Sequence, residues 1–244
     1  MPQLSKAKIY AVLFLPFILS MIISSMIIGY HMQLYSGDDV SPEEIGVLAM
    51  RVQYTYSFYW SILQILFGLI ALRYMGGLAS LKKVYSIDDI TRSPLKSIGL
   101  IIGLYLVTTA IIWGFQGINM LLTYSGSWEE YSRLWREVIE GIPLYTKLYM
   151  VLVAPFTAGI FEEIIWRWFG IESLSKYYSV NKAVITQAIA FGLWHGLSLH
   201  AVATMIIGIV YGLVYARRRR LLVISLSHIV TDIIGFYLSF FTAA

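Results

Sequence analysis

Apolar runs near residues 9–30, 54–74, 97–118, 145–168, 182–199, 201–216 and 221–241, each close to membrane-spanning length, take up most of this 244-residue chain. About 20 apolar residues in helical form cross the hydrocarbon core, and in lipid every backbone polar group needs an internal partner. Separate runs of that length are therefore helices. The expected fold is all-α, a polytopic transmembrane helix bundle of about seven spans with room for an eighth. Composition agrees, with 58% hydrophobic and 13% charged residues, where soluble domains average roughly 45–50% and about 25%. Seven spans leave only short loops, so the chain is read as a single membrane domain. Residues 1–144 supply the first helices and surface loops, and 145–244 carry the polar motifs. With no cysteine, disulfides, thiolate metal sites and a cysteine nucleophile are excluded.

The run after Lys6 and Lys8 is longer than the ~7–15 residues of a signal peptide's apolar region, and no A-x-A site follows, so it is read as a retained helix. Lys6, Lys8, Arg73, Lys82, Lys83, Arg92, Lys96 and Arg217 to Arg220 all fall on one side of a seven-span arrangement. That side is expected to be cytoplasmic, with the N-terminus inside and the cell membrane as the location. The opposite loops are acidic, with Asp38, Asp39, Glu43, Glu44, Glu129, Glu130, Glu137 and Glu140. The arginine run reads as a topology anchor ahead of an anionic-lipid site. Ser41-Pro42-Glu43-Glu44 and Ser127-Trp128-Glu129-Glu130 have the spacing of helix starts. Surface helices are expected after each, the second with an aromatic face of Trp128, Tyr131, Leu134, Trp135 and Val138. Gly208, Gly212 and Ala216 form a small-residue ladder that lets a neighbouring backbone approach. Pro155 and Gly159 mark a place where the fourth span kinks or loosens, opening a polar cavity.

Within the fourth run lies Phe161-Glu-Glu-Ile-Ile-Trp-Arg167. A carboxylate in hydrocarbon costs roughly 2.5–3.5 kcal/mol on insertion scales, so it persists with a partner or a use. Glu163 and Arg167, at i and i+4, can pair. Glu162 points about 100° away on a helix and is left free as a base. His195 shares a face of the fifth span with Gln187 and Phe191, and His228 shares a face of the last with Asp232, which would fix the imidazole tautomer. Counted at ~1.5 Å per residue from the cytoplasmic ends, Glu162 and His228 lie about 10 Å deep and His195 about 18 Å, an offset that tilt or a later helix start must remove. One Glu and two His suffice for a His₂Glu zinc site or for activating water without metal, and both lead to hydrolysis. The H-E-x-x-H pattern is absent. His200 and His31 are placed outside the site, and Ser198 lacks the strained elbow of a serine nucleophile.

The ordered set Glu162-Glu163-x-x-x-Arg167, Phe191-x-x-x-His195 and His228-x-x-x-Asp232 resembles the CPBP family. These are intramembrane endopeptidases related to CAAX prenyl proteases and to bacteriocin-processing and immunity proteins. The likeness covers about residues 145 to 241, which would make 145–244 the catalytic helical core. It implies that Glu162 activates water and that His195 positions the water or the scissile carbonyl. His228 and Asp232 would complete the site, as oxyanion donor and orienting acceptor or as metal ligand and its support. Glu163 and Arg167 would hold the local fold. Many relatives carry asparagine in place of Asp232. If a metal is bound, Glu162, His195 and His228 are its expected ligands and zinc its expected identity, but the family is described both as metalloproteases and as metal-independent glutamate proteases. The expected partners are membrane lipids and a peptide or membrane-protein substrate, lipidated or not, with no nucleic acid. The competing readings are a non-catalytic binding or immunity protein and a small proton-coupled transporter, the latter without the internal repeat such carriers use.

Overall fold

The computed structural model describes residues 4–34 and 41–242; Asp38 and Asp39 lie outside the described residues. In order the elements are α1 (Lys6–Leu34), α2 (Pro42–Thr55), α3 (Phe58–Tyr74), α4 (Gly77–Val84), α5 (Asp88–Thr91), α6 (Pro94–Thr123) and α7 (Trp128–Glu140). There follow α8 (Leu144–Leu152), α9 (Ala154–Thr157), a π-helical segment (Ala158–Ile171) and α10 (Glu172–Leu174), which together form one span, Leu144–Leu174. The chain ends with α11 (Val180–Trp194), α12 (Leu199–Arg218) and α13 (Leu222–Tyr237), the last extended by a π-helical turn to Thr242. The protein is a polytopic helical bundle.

Among the described residues five helical segments are long and apolar enough to cross a membrane, and a sixth is counted if α2 and α3, bent by 48°, form one span. The expected span at 182–199 is instead the 15-residue α11, about 22 Å long against a hydrocarbon core of ~30 Å. The helix stops because His195 leaves helical geometry and Gly196, at φ +101°, turns the chain back into α12. That backbone is open to glycine and strained for other residues. Small residues then hold the two helices together. A Cβ on Gly192 would stand 2.7 Å from the Ala201 carbonyl oxygen, and one on Gly208 would stand 3.1 Å from Ala188 Cα. Two members of the expected ladder, Gly208 and Gly212, thus face α11.

Charge is segregated between the two ends of the bundle. At one end Lys6 lies over the rings of Tyr177 and Tyr178, Arg219 pairs with Glu172 at 2.6 Å, and Arg218 pairs with Asp89 at 2.5 Å. Arg220 donates to the Lys83 carbonyl. At the other end α2 starts with a complete capping box on Ser41, Ser127 caps α7, and Arg133 bridges Glu43 at 2.7 Å and Glu137 at 2.9 Å. The aromatic face of α7 is packed: Val138 is fully buried, and Trp135 meets Tyr54 edge-on and Phe240 at a tilt and donates to the Ser239 carbonyl at 3.3 Å. Trp128 alone of that face stays largely exposed.

The π-helical segment is the axis of the fold, packed by α1, α3, α11, α12 and α13. The helix breaks at Val153 (φ −122°, ψ −53°), ahead of Pro155, and continues with the wider winding. Proline has no N–H to give to the preceding turn, which explains the break at this point. Gly159 lets α13 come close: a Cβ there would stand 3.0 Å from the Ser225 carbonyl oxygen and 3.1 Å from the Ile229 nitrogen. His228 sits between those two contact points, one turn along from which the segment presents Glu163.

Candidate active site

Consecutive residues on a helix point in different directions, and Glu162 and Glu163 accordingly meet different neighbours. Both are buried, with 2% and 0% of the side-chain surface exposed. Glu162 Oε1 accepts from Gln64 Nε2 of α3 at 2.7 Å and from Trp194 Nε1 of α11 at 2.7 Å. Its other oxygen has no hydrogen-bond partner and stands 3.8 Å from His228 Nε2. Glu163 Oε1 is 2.8 Å from His228 Nδ1, and its Oε2 is 3.2 Å from Arg167 Nε. The expected pair of Glu163 and Arg167 is formed, and it is joined to the histidine.

Arg167 is fully buried. No hydrogen bond is made by its guanidinium nitrogens, which lie 3.9 Å (measured at the central carbon) from the centre of the Phe191 ring and 5.5 Å from that of Tyr211. A guanidinium is weakly hydrated and stacks on aromatic faces, so it is better suited than lysine to this setting. Phe191 in turn meets His195 edge-on at 4.7 Å and His228 at 6.3 Å between ring centres. One aromatic ring therefore neighbours both histidines and supports the arginine.

His228 Nε2 faces two carboxyls, Glu162 Oε2 at 3.8 Å and Asp232 Oδ2 at 3.6 Å. Both separations exceed direct hydrogen bonding and suit an intervening water. The side chains of His228 and Asp232 are 13% and 23% exposed, so the closed glutamate side of the cluster opens toward them. Below the histidine, Tyr211 Oη bonds Ser227 Oγ at 3.0 Å, and Tyr85 Oη bonds Ser225 Oγ at 2.7 Å and the Ile160 carbonyl at 3.3 Å. Burial pushes the Tyr85 phenol up, and the nearby Glu163 adds to that, so this hydroxyl stays protonated. The Tyr85 bonds tie α13 to the segment that carries the glutamates, and the Tyr211 bond ties it to α12.

His195 caps α11, with Nδ1 2.9 Å from the Phe191 carbonyl oxygen, so that ring atom is engaged by its own helix. Its ring lies 5.7 Å from that of His200. The structure thus gathers Glu162, Glu163, Arg167, His228 and Asp232 directly and links His195 to them through the Phe191 ring. Among the described residues no three His, Asp or Glu side chains converge so as to hold a metal ion. Each donor has another engagement: Glu162 Oε1 takes two N–H donors, His228 Nδ1 is held by Glu163, and His195 Nδ1 by Phe191. Glu162 Oε2, His228 Nε2 and His195 Nε2 take no part in these bonds, and a histidine held through one ring nitrogen can still ligate through the other. Ser198 precedes α12 with extended backbone and makes no capping bond, and His31 packs on Tyr56 at the far end of α1.

Two partners of Glu162 escape a reading of motifs. Gln64 is an isolated amide in an apolar run, on one face of α3 with Ser61 and Gly68, and that face packs on the glutamate segment through Ser61 to Thr157 at 2.6 Å and Gly68 against Phe161. The i, i+3, i+7 recurrence of polar or small residues was the available signal. Trp194 reads as an apolar core residue, and its indole N–H gives no pattern in sequence. The depth offset of His195 is met by the same contact, because the last turn of α11 reaches Glu162 through Trp194.

Residues 144–234 match the family model described as type II CAAX prenyl endopeptidase Rce1-like. No curated protein and no solved structure matched the chain. The matched stretch contains Glu162, Glu163, Arg167, His195, His228 and Asp232, and it runs from the start of α8 into α13. The segment that builds this buried cluster is similar over those residues to the Rce1-like type II CAAX prenyl endopeptidases, and the apolar helices around it are those of an integral membrane protein.

Proposed function

We propose that the protein is an intramembrane endopeptidase in which Glu162 activates water without a metal. The observation that carries this is the division of labour at Glu162: one oxygen is fixed by Gln64 and Trp194, and the other is free and faces His228. A base must be held in place and keep a lone pair for the reacting proton. The water sits between Glu162 Oε2, His228 Nε2 and Asp232 Oδ2. Glu162 takes a proton as the water oxygen bonds to the scissile carbonyl carbon. His228 donates from Nδ1 to Glu163 and, with its second ring proton, from Nε2 to the developing oxyanion. The tetrahedral adduct collapses when Glu162 returns the proton to the leaving nitrogen, giving one carboxylic acid and one amine. Arg167 and Phe191 hold Glu163 and the imidazole in register. His195, anchored through Nδ1, offers Nε2 as an acceptor for a substrate N–H.

The substrate is a peptide bond in a membrane-bound peptide or protein that approaches from the His228 and Asp232 side. A prenylated carboxy-terminal peptide is the first to test, because the matched family description names that class. The experiment is cleavage of lipidated and unlipidated peptides by the purified wild type and Glu162→Gln, with and without a chelator, with products identified by mass. Cleavage by the wild type, unaffected by the chelator and at least about a thousandfold lower in the variant, is expected. Loss on chelation and recovery with zinc would replace this route by a metal-dependent one. Full activity after replacing Glu162, His195 and His228 together would end the reading.

A further inference from the structure

At the basic end, α5, the start of α6 and the turn between α12 and α13 enclose a cavity of about 250 Å³ whose lining includes Asp88, Asp89, Arg92, Lys96, Arg218 and Arg220. The proposed hydrolysis uses none of these residues. Both carboxylates are already engaged. Asp88 accepts from Arg92 at 2.9 Å, and Asp89 accepts from Arg218 at 2.5 Å and from the Val223 N–H at 3.4 Å. Four cations stand against two carboxylates, so positive charge is left over. Lys96 has no ion-pair partner among the described residues, Arg220 donates only to the neutral Lys83 carbonyl, and Arg218 Nε is buried with no hydrogen-bond partner. At ~30 Å³ per liquid water, the space holds a tetrahedral anion with its hydration. It also lies where the apolar helices α6, α12 and α13 reach their charged ends, the depth at which lipid headgroups sit.

We propose that this cavity binds a phosphate group, carried by an anionic phospholipid or present as a free anion. A bound phosphate would join the α5–α6 corner to the α12–α13 turn and so steady the helix that carries His228. Arginine and lysine at such a boundary each contribute about 1 kcal/mol toward anionic lipid, which is about fivefold in affinity. The test uses the full chain in detergent, with phosphatidylglycerol, phosphatidylcholine or inorganic phosphate as probes. Lipid retention is read by native mass spectrometry and thermal unfolding in parallel. The wild type should retain phosphatidylglycerol over phosphatidylcholine. Lys96→Gln and Arg220→Gln should each weaken that preference about fivefold, with Lys8→Gln, a basic residue at the start of α1, as the unaffected control. Lys96 is exposed and makes no side-chain hydrogen bond, ion pair or ring contact among the described residues, so its variant tests binding without disturbing the fold. A rise in unfolding temperature with inorganic phosphate that is lost in Lys96→Gln, without lipid preference, would assign the site to the free anion. Equal retention of both lipids with no response to phosphate, or an equal loss in Lys8→Gln, would overturn the proposal.

Discussion

Glu162 and Glu163 are neighbours in sequence with opposite duties in the structure: one is held by neutral donors and keeps an oxygen free of any charged side chain within direct reach, the other is paired with Arg167 and His228. Replacing Gln64 by Leu, or Trp194 by Phe, removes one of the two donors to Glu162. A hydrogen bond to a charged group is worth about 1.5–3 kcal/mol, so each change should lower kcat about 10–100-fold. Because both residues position the base and neither faces the open side, KM should stay within about twofold. A rise in KM at constant kcat would mean that they bind substrate. Arg167→Met would leave Glu163 without its cation in a fully buried setting. Removing one partner of such a pair costs about 3–5 kcal/mol, and thermal unfolding in detergent should show the variant markedly destabilised; unchanged stability would mean that neither the ion pair nor the stacking on Phe191 contributes net stability.

At the scale of elements, the site depends on helices whose backbones approach closely. Gly192 is the glycine where α11 comes closest to the backbone of α12, since a Cβ there would meet the Ala201 carbonyl oxygen and Met205 Cβ, both at 2.7 Å. Backbone cannot move aside cheaply, so Gly192→Ala should cost about 1–3 kcal/mol by overpacking and should displace Trp194 from Glu162, lowering activity as well. Gly103→Ala in α6, where nothing lies within 4 Å of the added atom, is the matched control and should leave stability and cleavage unchanged. The π-helical winding around Glu162 and Glu163 follows the same logic. Such winding is rare and recurs at functional sites, and here it follows a proline break and faces α13 through Gly159.

For the whole molecule, the segregation of charge gives an orientation that labelling can check. The chain has no cysteine, so single cysteines can be placed freely. We expect cysteines at Lys8, Lys82, Lys176 and Arg220 to be labelled from the cytoplasmic side, as the excess of basic residues directs. Cysteines at Glu43 and Glu129 should be labelled from the opposite side. Labelling of Lys82 and Glu43 positions from the same side would contradict the ends assigned by the ion pairs of Arg219 with Glu172 and Arg133 with Glu43.

Runs of apolar residues determined the helical membrane bundle, because hydrocarbon leaves a backbone no other way to satisfy itself. The i, i+4 spacings determined which charged residues share a face: Glu163 does meet Arg167, and His228 does lie near Asp232. Surface helix starts at Ser41 and Ser127 were equally legible, since capping is local. Tertiary structure alone decided that Gln64 and Trp194 hold Glu162, that Glu163 and not Asp232 takes His228 Nδ1, and that Phe191 neighbours both histidines. It also decided that α11 falls short of a full crossing, because Gly196 turns the chain where hydropathy alone continues. Local patterns report one helix at a time, whereas these contacts depend on the rotation and depth of helices packed against one another, which no single segment encodes.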